Sequence, residues 1–180
     1  MKFLFAILFF GYGLNADAQI TKASLQASGL TCSMCSKAVK IALEEVSFVE
    51  KVQVDIKKQQ YNLSFKEGAD VDPDALNKAV QDAGFSVASL KVTANVKKMQ
   101  LQKDEHVKIG NQYFHFLNGG GKQLDSNTEF NIVDKGFVAD KEYKKHAALT
   151  KMPCVQTGKM AKCCTAEEVP EQTRVFHVII

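Results

Sequence analysis

Apolar and polar residues alternate along Leu25-Gln26-Ala27-Ser28, the period of two that a half-buried strand requires. After a short loop the period lengthens. Val39, Leu43 and Val46 recur every three to four positions with Ala38 and Ala42 beside them, and Lys37, Lys40, Glu44 and Glu45 take the other faces, which predicts an amphipathic helix. Alternation returns over residues 52–66. Val52, Val54 and Ile56 are expected on one face and Tyr61, Leu63 and Phe65 on the facing strand, with the polar residues 57–60 as the turn of a hairpin. Asp72 can cap a helix that begins at Pro73, buries Leu76, Ala79, Val80 and Ala83, and stops at a left-handed Gly84. A short strand over residues 88–92 ends the series. The order strand, helix, strand, strand, helix, strand over residues 24–92 is the split βαβ arrangement of a ferredoxin-like α+β domain. Both helices must then cover one face of a four-stranded antiparallel sheet.

Past residue 92 the helical rhythm fades. Residues 96–101, 107–109, 113–117, 130–133 and 174–180 read as strands, Asn118-Gly119-Gly120-Gly121 as a turn, and residues 140–149 as one short helix. The expectation is a second, β-rich domain over residues 93–180, with a helix after the third strand as in small five-stranded OB-like barrels. No Pro, Gly or Ser run separates the halves, so they are expected to meet near Thr93 with little linker.

The ends and the charge refine this picture. Lys2 precedes the apolar run of residues 3–14, and Ala16-Asp17-Ala18 is a small-x-small cleavage pattern, so residues 1–18 read as a secretory signal peptide and Gln19 as the first mature residue. Broken by Gly11 and Gly13, that run is too short for a hydrocarbon core of about 30 Å, so no stable membrane insertion is expected after cleavage. The residues 19–92 and 93–180 would then form two modules in a periplasmic or secreted protein. A formal charge of +3, from scattered lysines, gives no footprint for nucleic acid.

Five cysteines fall into two groups, Cys32/Cys35 and Cys154/Cys163/Cys164. In an oxidising compartment thiols tend to pair, but five is odd. Cys32 and Cys35 stand where the first strand's loop meets the amino terminus of the first helix, whose unsatisfied N–H groups and positive dipole end stabilise a thiolate. Lys37, one turn in, adds to that field. Two sulfurs on a short loop can reach opposite sides of one soft ion, and sulfur favours monovalent copper over calcium or magnesium. Structural zinc usually takes four ligands, and no second CxxC completes such a set.

The stretch Gly29-Leu30-Thr31-Cys32-Ser33-Met34-Cys35 followed by a helix resembles the GMTCxxC signature of heavy-metal-associated domains, and Gly84-Phe85 resembles the Gly-aromatic pair found after their second helix. The resemblance covers residues 24–92. It implies the fold of a soft-metal carrier, as in copper chaperones, the amino-terminal domains of copper P-type ATPases and exported mercury-binding proteins. Cys32 and Cys35 are then the ligands, Cu(I) the expected cargo with Hg(II) or Ag(I) as alternatives, and a metal-donor or metal-acceptor protein, such as a membrane transporter, the partner. Leu30 departs from the family's methionine, which mostly packs beneath the loop, and Thr31 resembles the copper type, where zinc carriers often have aspartate. Two other readings of the pair stay open: a thiol–disulfide oxidoreductase, or an interaction module with a structural Cys32–Cys35 disulfide. A thioredoxin-like domain would be expected to have a parallel βαβ unit and commonly a proline beside the site, neither of which the pattern provides.

His146, Met152, Cys154, Met160, Cys163 and Cys164 are all soft donors crowded into one stretch. They could form a second metal group. A disulfide from Cys154 to Cys163 or Cys164 is the competing expectation, since methionine is more often packing filler than ligand. His106, His115 and His177 lie in or beside expected strands at no ligand-like spacing, and are expected to be satisfied sheet residues. No Ser/His/Asp order, HExxH or paired carboxylates point to catalysis, and no enzyme is expected.

Overall fold

The computed structural model describes residues 18–161, 164 and 169–180, so residues 1–17 of the expected signal peptide and Cys163 lie outside the described residues. The first half follows the hydrophobic pattern: β1 (Gln19–Ser28), α1 (Ser33–Glu44), β2 (Val49–Asp55), β3 (Gln60–Phe65), α2 (Pro73–Asp82) and β4 (Ser86–Gln100). α1 buries Val39 and Leu43; α2 buries Pro73, Leu76 and Val80. Asp72 caps α2 by accepting from the Asp74 N–H at 2.9 Å. At the other end Gly84 adopts φ +87, and the Gly84 and Phe85 N–H groups return to the Gln81 and Val80 carbonyls at 2.8 and 3.1 Å. That pair of bonds is a Schellman stop, which glycine at this φ makes available.

The hairpin pairs Val52 with Leu63 and Val54 with Tyr61. Ile56 departs from expectation. It falls beyond the last paired residue of β2 and is 84% exposed.

β4 changes the picture of the second half. The short strand and the separate residue 96–101 strand expected from sequence are one strand, Ser86–Gln100. Leu90, Val92, Ala94 and Val96 keep one alternation on the core side, and a register shift opposite Gln26/Ala27 lets Val87 join them. Thr93, the expected junction, carries no breaker and lies inside this strand.

The second half therefore continues the same sheet. β5 (Glu105–Ile109), β6 (Gln112–Phe116), β7 (Gln123–Ile132) and β8 (Val175–Ile179) give the order β2-β3-β1-β4-β7-β8-β6-β5 in a single eight-stranded sheet. The β6/β8 pair is parallel. The described pairings leave β2 and β5 as edges and do not bear out an OB-like barrel, because β7 pairs along β4 instead of closing on its own half. α3 (Asp140–Ala147) matches the expected helix, whereas the single-turn α4 (Cys154–Thr157) was not legible. No described helix is long and apolar enough to cross a membrane.

Alternation sorts β6 and β8 into two buried faces. Phe114, Phe116, Phe176 and Val178 enter the main core. On the opposite face lie Tyr113 and His115 of β6 and Val175 and His177 of β8, beneath a small cluster of Cys154, Met160, Cys164 and Val175.

Candidate functional site

β1 ends at Ser28, and Gly29 turns the chain at φ +86, a conformation that side chains disfavour. The space there would admit a Cβ, since its nearest neighbour would be Phe85 at 3.7 Å, so the backbone angle is the constraint. Leu30 is half-buried against the core, which is the supporting place expected for it. Cys32 is the N-cap of α1 with extended backbone, and its sulfur accepts from the Cys35 N–H at 3.4 Å. The sulfur therefore occupies the place of a capping oxygen.

The two sulfurs lie 3.0 Å apart, and the Thr31 hydroxyl is 3.8 Å from that of Cys35. Cys32 is exposed and Cys35 half-buried. The neighbouring Cys32 sulfur, then the Thr31 backbone and hydroxyl, hold the Cys35 thiol down from 9.0 to about 7, so thiolate is a major species at neutral pH. The first turn of α1 carries no acidic residue to oppose that charge.

The loop is braced from below. Tyr61, 1% exposed, donates from its hydroxyl toward the Ser36 carbonyl at 3.2 Å and the Ser36 hydroxyl at 3.1 Å. The sequence placed Tyr61 on the core face of a strand but gave no sign of this bond, which joins β3 to the turn carrying Cys35. Beside Cys32 a groove of about 480 Å³ runs between Lys37, Lys40, Val54, Ile56 and Tyr61. Met34, between the cysteines, is 74% exposed.

The carboxy-terminal group is only partly assembled as expected. Met152, Cys154, Met160 and Cys164 share one buried cluster, while the His146 ring faces Glu142 at 3.8 Å. Cys163 lies outside the described residues. The three histidines are sheet residues, as expected, but His106 Nε2 and His177 Nε2 are not satisfied, and their separation in sequence does not keep them apart in space. His106 pairs with His115 across β5/β6, and His115 with His177 across β6/β8, so the three form one row on one sheet face. The His106 and His115 rings stack at 4.2 Å, and His177 meets His115 edge-on at 5.2 Å.

The Cys154 sulfur is 3.6 Å from His115 Nδ1. Donor atoms of His106, His115 and Cys154 all lie within 4.8 Å of one another. Sequence spacing could not reveal this, because sheet pairing joins His106 to His115 and α4 brings Cys154 to them from 39 positions away. Burial, reinforced by His106 and His177, pushes the His115 imidazole down to about 4. Burial likewise lowers His106.

Comparison with known proteins bears on the first site. The model of the heavy-metal-associated domain matches residues 24–86. A mercuric transport protein periplasmic component of Acinetobacter calcoaceticus is 36% identical over 86 residues, 47% of this chain and 93% of that protein. A probable copper-transporting ATPase of Arabidopsis thaliana is 26% identical over 85 residues, which are only 8% of its length. Among solved structures, oxidized MerP from Ralstonia metallidurans CH34 is 33% identical, with a TM-score of 0.35, over 38% of this chain and 94% of that one.

Proposed function

Because the chain belongs to the heavy-metal-associated domain family, we propose that it carries a soft metal ion, Cu(I), between Cys32 and Cys35 and passes it on by ligand exchange at the exposed loop. The observation that carries this reading is the pair of sulfurs 3.0 Å apart at an exposed helix amino terminus. An ion held linearly by two bonds of about 2.3 Å needs its sulfurs roughly 4.6 Å apart, so loading opens the pair. Cys32, exposed at the end of a loop, is the one that moves. Release is the reverse, with a partner's thiolate entering as Cys32 leaves.

The periplasmic relative, aligned along nearly its whole length, supports action outside the cytoplasm, with a metal donor or a membrane transporter as partner. Its name also favours Hg(II) as a second cargo, since Hg(II) too takes two thiolates. In this reading the protein is a carrier and not an enzyme. A thiol near pH 7 would also suit thiol–disulfide exchange, for which Cys35 would be the attacking sulfur.

The test is Cu(I) titration of the reduced protein against a chromophoric chelator. C32S/C35S is expected to bind one equivalent fewer than the parent, and undiminished capacity would remove the site from this loop. Catalytic turnover of a model disulfide, unchanged by saturating Cu(I), would replace carriage by the redox reading.

A further inference from the structure

We propose that the β-rich half holds a second metal site, with His106, His115 and Cys154 as ligands and Cu(I) as its ion. These residues come from β5, β6 and α4, three elements that contribute nothing to the Cys32/Cys35 loop. The two sites are therefore independent, and failure of one leaves the other standing.

The three donors stand close enough to share one ion, and one imidazole must tilt out of the 19° His106–His115 stack for both lone pairs to reach it. Donors around one ion with bonds of about 2.0–2.3 Å stand roughly 3.3 to 4.6 Å apart. Here the three donor atoms already lie within 4.8 Å of one another. Ligating imidazoles are usually held by a hydrogen bond from the other ring nitrogen. His115 has that arrangement: Nε2 is 3.3 Å from the Asp104 carboxylate, and Nδ1 is left facing Cys154 at 3.6 Å. Asp104 reaches it from a left-handed turn residue, φ 57, just before β5.

A second observation points to a missing occupant. His106 Nε2 is buried without a hydrogen-bond partner. So is Nε2 of His177, a fully buried side chain whose Nδ1 is fixed by Asp134 at 2.7 Å. Two orphaned imidazole nitrogens in one row are costly unless something accepts their lone pairs or protons.

The ion class follows from donor type and access. A thiolate among imidazoles suits a soft ion, and with the Asp104 carboxylate 3.3 Å from His115 the local charge alone does not choose between a monovalent and a divalent one. Next to His106 a cavity of about 580 Å³ is lined by Met99, Met152, Met160 and Cys164. Three of the chain's five methionines thus border the approach, and thioethers favour Cu(I) over harder ions.

The test uses the full-length C32S/C35S protein, reduced and anaerobic, titrated with Cu(I) against bicinchoninate. One equivalent should remain bound, and X-ray absorption at the copper edge should show imidazole nitrogen beside sulfur. Adding His106→Gln, at the cavity rim, should weaken that equivalent by tenfold or more while far-UV circular dichroism stays unchanged. His115→Gln should do the same; because that ring is fully buried, His106→Gln decides the matter if His115→Gln does not fold. Absence of a stoichiometric equivalent, a sulfur-only spectrum, or binding indifferent to His106→Gln overturns the site. Displacement of the bound Cu(I) by equimolar Zn(II) overturns the ion assignment.

Discussion

The two cysteine regions of this protein are opposites in everything but their chemistry. Cys32 is exposed at the N-cap of α1 and Cys35 half-buried in its first turn, with Met34 between them at 74% exposure. Cys154 is 0% exposed, against a sheet face whose His115 and His177 side chains have no solvent exposure either. An open pair of sulfurs can be entered by a third ligand, which is what exchange requires. The buried set is reached past His106 and the methionines of the adjoining cavity, so its ion leaves when those side chains move. The contrast suggests transfer at one end of the sheet and retention at the other.

The largest expected effect breaks or sharpens that contrast directly. Uncovering the buried set means exposing one or two core side chains, about 3 kcal/mol, so its ion should leave about 100-fold more slowly than the loop's. Stopped-flow removal of Cu(I) by excess chelator should show a fast phase absent from C32S/C35S and a slow phase absent from His106→Gln. A single phase in the parent, lost wholly in either variant, would erase the distinction.

Next in size is the link between the halves. Arg174 grips Asp74 of α2 through Nε and Nη2, at 2.8 and 3.1 Å, and pairs with Asp134 at 2.8 Å; Asp134 in turn holds His177. Replacing Arg174 by Met strands Asp134, only 7% exposed. Removing one partner of a fully buried pair costs about 3–5 kcal/mol, but Arg174 is itself 31% exposed, so about 2 kcal/mol is expected here. Thermal unfolding should fall by roughly 4–8 °C. Asp134→Asn on that background should restore part of the loss, and no restoration would mean that the aspartate was never the burden.

How much of this was legible depended on the range of the contacts. α1, α2 and the hairpin follow local periodicity, and Asp72, Pro73 and Gly84 punctuate them, so the sequence carries their positions almost residue by residue. The CxxC loop is equally local, since its sulfurs are three residues apart and that of Cys32 caps the helix that carries Cys35. The histidine row is not. His106, His115 and His177 become neighbours only through one antiparallel and one parallel pairing, and nothing near any of them encodes those registers. The barrel expectation failed for the same reason. Thr93 lacks a breaker, and that absence marked a continuing strand where a junction between separate folds was expected.

Tyr61 tests whether the loop depends on the sheet beneath it. Tyr61→Phe removes a buried donor shared by the Ser36 carbonyl and hydroxyl, and should cost about 1 kcal/mol, or roughly 2–4 °C in thermal unfolding. If the brace matters to the site, Cu(I) should also leave the loop faster. Unchanged release with lowered stability would confine Tyr61 to folding.

The smallest effect concerns the proton on Cys35. Its folded pKa, about 7, lies below its ordinary 9.0, so ionisation favours the folded loop. That advantage is complete above 9.0 and is lost as pH falls through about 7, which predicts metal affinity dropping with acidification near neutrality and not near 9. Iodoacetamide alkylation of the reduced protein against pH should show a midpoint near 7 for Cys35. Thr31→Ala deletes the hydroxyl 3.8 Å away but keeps the backbone contribution, so the midpoint should rise only modestly. Cys32→Ser removes the larger sulfur contribution and should raise it further. Equal shifts in the two variants would mean that the sulfur at 3.0 Å is not the main partner of the thiolate, and that the helix terminus alone sets its charge.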